Sequence, residues 1–297
     1  MNRTPLRKPD SGAGEGLRTA SGEVLDEARR QIDDRDVPDA MAVHEFRKGM
    51  KRWRALLRLF EPVLGQEAAQ LRVEARDLAR ELAGSRDARS AIDGLADLGK
   101  EPLPGRTRAT LESRLEELCK TAEAATLTDD LRERLRDALD QASAAARRWP
   151  LDDVAFSAIA DGLAASYART RKAVPEDWAK ATPEDLHELR QRVVVHRYQM
   201  DLVVPLWPKI GRAWVSEAQK LRDRLGHHQD LAMLKDLTAP HQPLARWRSR
   251  LMPLIEARQA EHASGAGRVA RRLFAEKPKA FRNRLLGLWE GRAARSE

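Results

Sequence analysis

From about residue 20 onward, apolar residues recur every three to four positions, the spacing that places them on one face of an α-helix. Val43, Phe46, Met50, Trp53, Leu57 and Phe60 form one such stripe, with polar residues on the opposite side. No segment stands out with the period-two alternation of a half-buried strand. The β-branched run at Val193 to His196 lies inside a longer 3.6-residue pattern and is read as helix. Breaks are expected at Pro62, the segment from Gly99 to Gly105, Trp149-Pro150, Val174-Pro175, Pro205 and the segment from Ala239 to Pro243. One start is sharply marked: Thr182 can cap, Pro183 fits the first turn, and Glu184 and Asp185 meet the positive end of the dipole. That helix is predicted to run to about Val204. Residues 1–20 mix Gly, Ser, Pro and charge without periodicity and are expected to form a flexible tail.

The pattern is doubled. His44 and His187 lie 143 positions apart, and the same offset keeps Glu45/Glu188, Arg47/Arg190, Arg54/Arg197, Leu59/Leu202 and Pro62/Pro205 in register. It continues through Glu74/Glu217, Ala75/Ala218, Leu78/Leu221, Leu82/Leu225, Asp87/Asp230 and Asp93/Asp236. Twelve gap-free identities exceed the roughly three or four expected by chance. Matched leucines would follow from amphipathicity alone, but matched His, Arg, Pro and Asp would not. The sequence therefore predicts an all-α fold of two helical bundles related by duplication, with a first half over 21–149 and a second over 150–297.

Composition narrows the class. A chain of 297 residues can bury a sizeable core, and its 34% of charged residues exceeds the usual share of about 25%, as suits long helices with wet outer faces. Cys119 has no cysteine partner in the sequence, and its helical spacing from Leu111, Leu115 and Leu118 reads as core packing. No stretch has the apolar length of a membrane span and no basic start leads into an apolar run, so a cytoplasmic protein is expected.

Lys and Arg number 54 against 46 for Asp and Glu, a net charge of +8. Its placement matters more than its size. Opposite the apolar stripe of the first repeated helix lie His44, Arg47, Lys48, Lys51, Arg54 and Arg58, with only Glu45 to offset them. Like charges at i+3 and i+4 repel by a few tenths of a kcal/mol per pair, and an ordinary solvated face would mix signs. Such a ridge suits an anionic partner. The second helix keeps His187, Arg190 and Arg197, but Val194 and Asp201 stand where Lys51 and Arg58 stand in the first. His196, among Leu189, Val193 and Met200, reads as structural.

Neither His44 nor His187 has a His, Cys or carboxylate partner three or four residues on, so no metal site is expected, and no cofactor motif is present. No phosphate-binding loop, zinc-protease or serine-hydrolase motif appears either, and the ridges carry almost no carboxylates that could hold a divalent cation beside a phosphate. The expectation is a binding protein and not an enzyme. Nucleic acid and an acidic protein are the alternative partners. Against nucleic acid, no row of aromatics interleaves the basic positions, and the tryptophans after Trp53 are scattered as packing residues would be.

The pattern His44-x-x-Arg47-x-x-x-Lys51-Arg52-x-Arg54, its echo His187-x-x-Arg190 with Arg197-Tyr198, and the tails LARELAGSRD and LRDRLGHHQD resemble the CHAD family of conserved-histidine α-helical domains over about Ala20 to Trp289. The resemblance implies two bundles about a pseudo-twofold axis, with the His-bearing helices facing a shared basic groove or cavity. It also implies non-catalytic binding of inorganic polyphosphate and association with polyphosphate granules. Residue by residue, it assigns phosphate contacts to His44, Arg47, Lys48, Lys51, Arg54, His187, Arg190 and Arg197, with Arg86 as a further candidate. Val194, where the family usually has Lys, and the non-basic Gln229 beside Asp230 depart from the pattern and make the second copy the weaker one.

Overall fold

A computed structural model of the chain describes residues 12–82, 86–99, 103–121 and 127–293, excepting the side chains of 86–88, 121, 292 and 293. The described residues form α1 (Ala13–Asp33), α2 (Asp39–Leu64), α3 (Gln66–Glu81), α4 (Arg86–Asp97), α5 (Gly105–Thr121) and α6 (Asp129–Arg148). They continue with α7 (Phe156–Lys172), α8 (Pro183–Val203), α9 (Pro208–Asp236), α10 (Arg248–Leu273) and α11 (Pro278–Ala293), and contain no strand. No helix among them is long and apolar enough to cross a membrane.

Local chemistry sets most of these boundaries. At the start of α8 the Thr182 hydroxyl accepts from the Asp185 amide and the Asp185 carboxylate accepts from the Thr182 amide, so both ends of a capping box are present. Pro205 falls in a short 3-10 turn over Val204–Leu206 that separates α8 from α9. Pro62 behaves differently from expectation: α2 runs through it to Leu64 and breaks at Gly65, whose φ of 55° favours glycine. Pro62 cannot donate to the carbonyl of Arg58, and only Val63 and Leu64 follow it in the helix.

The expected flexible tail does not extend to residue 20, since α1 begins at Ala13; residues 1–11 lie outside the described residues. Ala13, Gly14, Leu17 and Ala20 are buried, and Arg18 donates to Asp152 and to the carbonyl of Trp149. Gly14 lies so close to Leu151 that a Cβ there would sit 1.6 Å from its carbonyl oxygen. A contact across more than a hundred residues thus orders a segment that lacks visible periodicity.

The helix pairings recur. In the first half α1 packs on α2 and α6, α2 on α3, and α4 on α5; in the second α7 packs on α8 and α11, α8 on α9, and α9 on α10. The starts at positions 13 and 156, and at 105 and 248, share the offset of 143 that separates His44 from His187. The halves meet where α2 packs on α8 and α4 on α9, and Gln199 of α8 donates to the carbonyl of Ala55 in α2 at 2.9 Å.

Two hydrophobic clusters result, and each draws on both halves. The larger includes Leu25, Phe46, Trp53, Phe60, Trp149, Tyr167, Val193, Leu221 and Phe281. The smaller joins Ala91, Leu95, Leu111 and Leu115 of α4 and α5 to Leu231, Leu234, Leu251 and Ile255 of α9 and α10. Cys119 is half-exposed beside this second cluster and not in it, because Leu111, Leu115 and Leu118 carry the buried stripe of α5. Trp207 departs from the expectation that tryptophans pack between helices: it is 49% exposed.

Candidate anion-binding site

The residues of the first ridge lie along α2 as its periodicity requires, but their surroundings differ from end to end. At the N-terminal end the His44 side chain is 76% exposed, and Lys48 pairs at 2.9 Å with Glu45, the one acid on the ridge. Lys51 is exposed and Arg47 is half-buried. At the C-terminal end Arg54 and Arg58 are half-buried against α3, and the Nε of each is buried without a hydrogen-bond partner.

Arg54 and Arg58 meet other arginines there. Burial first, then the nearby Arg76, Arg72 and Arg80 guanidinium groups, lower the pKa of Arg54 from the ordinary arginine value. Burial, then Arg72, Arg54 and Arg169, push Arg58 down to about 10. At neutral pH it stays charged, so the depression marks first the burial of a charge and then the crowding of cations around it. The acids in the cluster are Glu61, 3.1 Å from Arg72, and Asp77, 2.8 Å from Arg76 and 3.9 Å from Arg80. Arg54 and Arg58 thus have the guanidinium groups of Arg72, Arg76, Arg80 and Arg169, and the carboxylates of Glu61 and Asp77, as electrostatic neighbours. Arg72, Arg76 and Arg80 were not singled out in the sequence, although their spacing on one helix was visible; only packing of α3 on α2 gives that spacing meaning. Arg169 of α7 had no sequence signal.

The second ridge is more fully engaged. Arg190 donates at 2.8 Å to the side-chain oxygen of Gln229 in α9, and its guanidinium lies against Gly226. The non-basic residue at Gln229 is thus an acceptor for the ridge arginine. Arg197 stacks on Tyr198 with 4.2 Å to the ring centroid and lies 3.7 Å from Asp201. His187 has its Nε2 2.6 Å from the Gln191 amide nitrogen. Arg192 donates to the carbonyl of Arg169, linking α8 to the helix that supplies the sixth arginine of the α2 cluster. The side chains of Arg86 and Asp87 lie outside the described residues. Asp230, the counterpart of Asp87, is half-buried, and desolvation raises its pKa from the ordinary carboxylate value. Among the described residues no group of His, Cys, Asp and Glu could hold a metal ion.

His196 is structural. It is 1% exposed, accepts a hydrogen bond from Trp214 Nε1 at 3.1 Å and packs among the rings of Tyr167, Phe274 and Phe281. Burial, aided by the charge of Arg284, lowers its pKa to about 3. The unfolded chain then binds a proton at this histidine that the folded protein does not, between pH about 3 and about 6.5. Stability from this residue is complete above about 6.5 and declines as pH falls below it. Denaturant unfolding between pH 7 and 4 is expected to show this decline, and His196→Gln, whose carbonyl can still accept from Trp214, is expected to flatten it. An unchanged slope in the variant would assign the acid sensitivity elsewhere.

Helices alone, a surplus of arginine on paired helices and a direct contact between the two His-headed helices define a basic, all-helical domain protein. A family model described as CHAD domain matches residues 19–239, and the chain belongs to that family. The structure of the CHAD domain from the plant Ricinus communis is similar, with a TM-score of 0.52 at 18% identity over 96% of this chain and 94% of that one. At that identity the likeness shows the fold, which continues through α10 and α11 beyond the matched segment. No curated protein sequence matches.

Proposed function

We propose that this protein binds inorganic polyphosphate without cleaving it, on a basic surface built from α2, α3 and α8. The observation that carries the proposal is the crowding of half-buried Arg54 and Arg58 against Arg72, Arg76, Arg80 and Arg169. Such crowding costs free energy in the empty protein and becomes favourable once a dense anion lies among the guanidinium groups. A polymer with one negative charge per repeat matches the ridge better than a single carboxylate, because many contacts are then linked along one chain. We read the two halves as copies of one unit, with the second copy completing a shared groove and the first supplying most of the affinity. Arg190 and Arg197, held by Gln229 and Asp201, are less available than Arg54 and Arg58. Localisation in the cytoplasm on polyphosphate granules follows from this reading.

One feature favours polyphosphate over nucleic acid, and another favours binding over cleavage. Trp53, the aromatic residue amid the α2 ridge, is 1% exposed and stacks on Trp149 at 5.7 Å, so it offers no face to a base. Divalent-metal phosphoryl chemistry would need available carboxylates, whereas Glu61 and Asp77 are committed to arginines. An acidic protein could also use guanidinium groups, but it would not discriminate by phosphate chain length. Competition titration at fixed salt tests the proposal. Long polyphosphate should displace a labelled polyphosphate probe at far lower phosphate concentration than duplex DNA, RNA or a poly-glutamate peptide. Equal displacement by any of these would overturn it.

A further inference from the structure

A second basic cleft lies between α9 and α10, on the side of α9 turned away from α8. Gly226 and Gln229 of α9 face Arg190 of α8, whereas Lys220 and Arg224 project from the opposite side of the helix. There they meet Arg268 and Arg272 of α10 around a cleft of about 230 Å³. Glu217 is the acid in the lining; it pairs with Lys220 at 2.5 Å and with Arg272 at 3.2 Å. Arg268 donates to the Ser264 hydroxyl at 2.9 Å. The guanidinium of Arg224 makes no hydrogen bond or ion pair among the described residues and rests on the bare Cα of Gly265, where a Cβ would come within 2.3 Å of its Nη1.

We infer that this cleft binds a compact phosphoanion, one or two phosphoryl groups in size, independently of the α2 ridge. Charge and size carry the inference together. Four cations against one carboxylate leave a strong surplus, and Arg224 supplies a planar fork with no internal acceptor. Pockets for drug-sized or nucleotide-sized ligands usually run from about 300 Å³ upward, so the smaller volume selects phosphate or diphosphate over a nucleoside. Glu217 occupies Lys220 and Arg272 in the empty state, and an incoming phosphoryl group would compete with it for both. The inference does not rest on polyphosphate binding at α2. Positions 77 and 81, the counterparts of Lys220 and Arg224 at the offset of 143, are Asp77 and Glu81, so the cleft belongs to the second half alone.

Calorimetric titration of the full chain with inorganic pyrophosphate at low, fixed salt tests the inference. Arg224→Ala with Arg268→Ala is expected to weaken binding at least about tenfold, since two charge-assisted contacts are lost. Arg54→Gln with Arg58→Gln should weaken long polyphosphate yet keep the pyrophosphate-binding component that Arg224→Ala with Arg268→Ala removes, so the two sites fail separately. Glu217→Gln removes the competing charge with little change in shape and should tighten pyrophosphate binding. Absence of binding by the native chain, or native affinity in the Arg224→Ala, Arg268→Ala protein, would overturn the proposal. If that double variant has a lowered thermal midpoint, Glu217→Gln decides: unchanged or weaker affinity there also overturns it.

Discussion

Replacing Arg54 and Arg58 together by glutamine is expected to weaken long-polyphosphate binding by about 100-fold while leaving the unliganded protein as stable as before, or more so. Each charge-assisted contact contributes roughly 1.5–3 kcal/mol, so loss of two corresponds to two decades or more. Most arginine-to-neutral changes at half-buried positions would also cost stability, but here each guanidinium is crowded by others and the Nε of each lacks a partner. Removing them relieves repulsion in the empty state. Long polyphosphate at a hundred times its dissociation constant should stabilise the native protein by about 2.7 kcal/mol, a rise of roughly 5 °C in thermal midpoint that the variant should lack at the same concentration. Scanning calorimetry with and without polyphosphate reads both effects. A variant that loses stability before any ligand is added would mean that the cluster serves the fold and not the ligand.

The largest expected loss of stability lies at Arg132. Its side chain is 4% exposed at the meeting of α1, α2 and α6, where it donates to the carbonyls of Ile32 and Leu127 and to Asp39 at 2.7 Å. Asp39 in turn accepts from the Leu127 amide at 3.0 Å, so one guanidinium holds the start of α2 against two chain segments. Arg132→Ala leaves two carbonyls and a carboxylate without their donor and is expected to cost about 3 kcal/mol, read as a lowered denaturant midpoint. Arg132→Lys should recover little, because a single ammonium cannot reproduce a planar fork reaching three acceptors. Full recovery by lysine would show that charge alone, without the geometry, holds this joint.

The helical class was legible because it is periodic: the core stripe of α2 and the capping box of α8 are local, and local interactions repeat wherever their residues do. Buried His196 was legible for the same reason, lying among apolar neighbours on its own helix. Other features were hidden because their cause is distant in the chain. Ala13 to Ala20 pack against Leu151 and Asp152, distant in the chain, whereas composition alone reads them as tail. Cys119 falls just off the buried stripe, an angular offset that the packing of α5 resolves. Gln229, read as a loss from the motif, turned out to be the acceptor for Arg190.

The order of residues alone carries the helical class, the motif that recurs at His44 and His187, and the row of cations from His44 to Arg58. Those are properties of spacing along one helix, fixed by the 3.6-residue turn. Which cations are crowded depends on how the helices pack. Arg54 and Arg58 are set against Arg72, Arg76 and Arg80 by the packing of α3 on α2, and against Arg169 by α7. Like-charge repulsion depends on distance and burial, and neither is written in the order of residues until the helices are laid side by side.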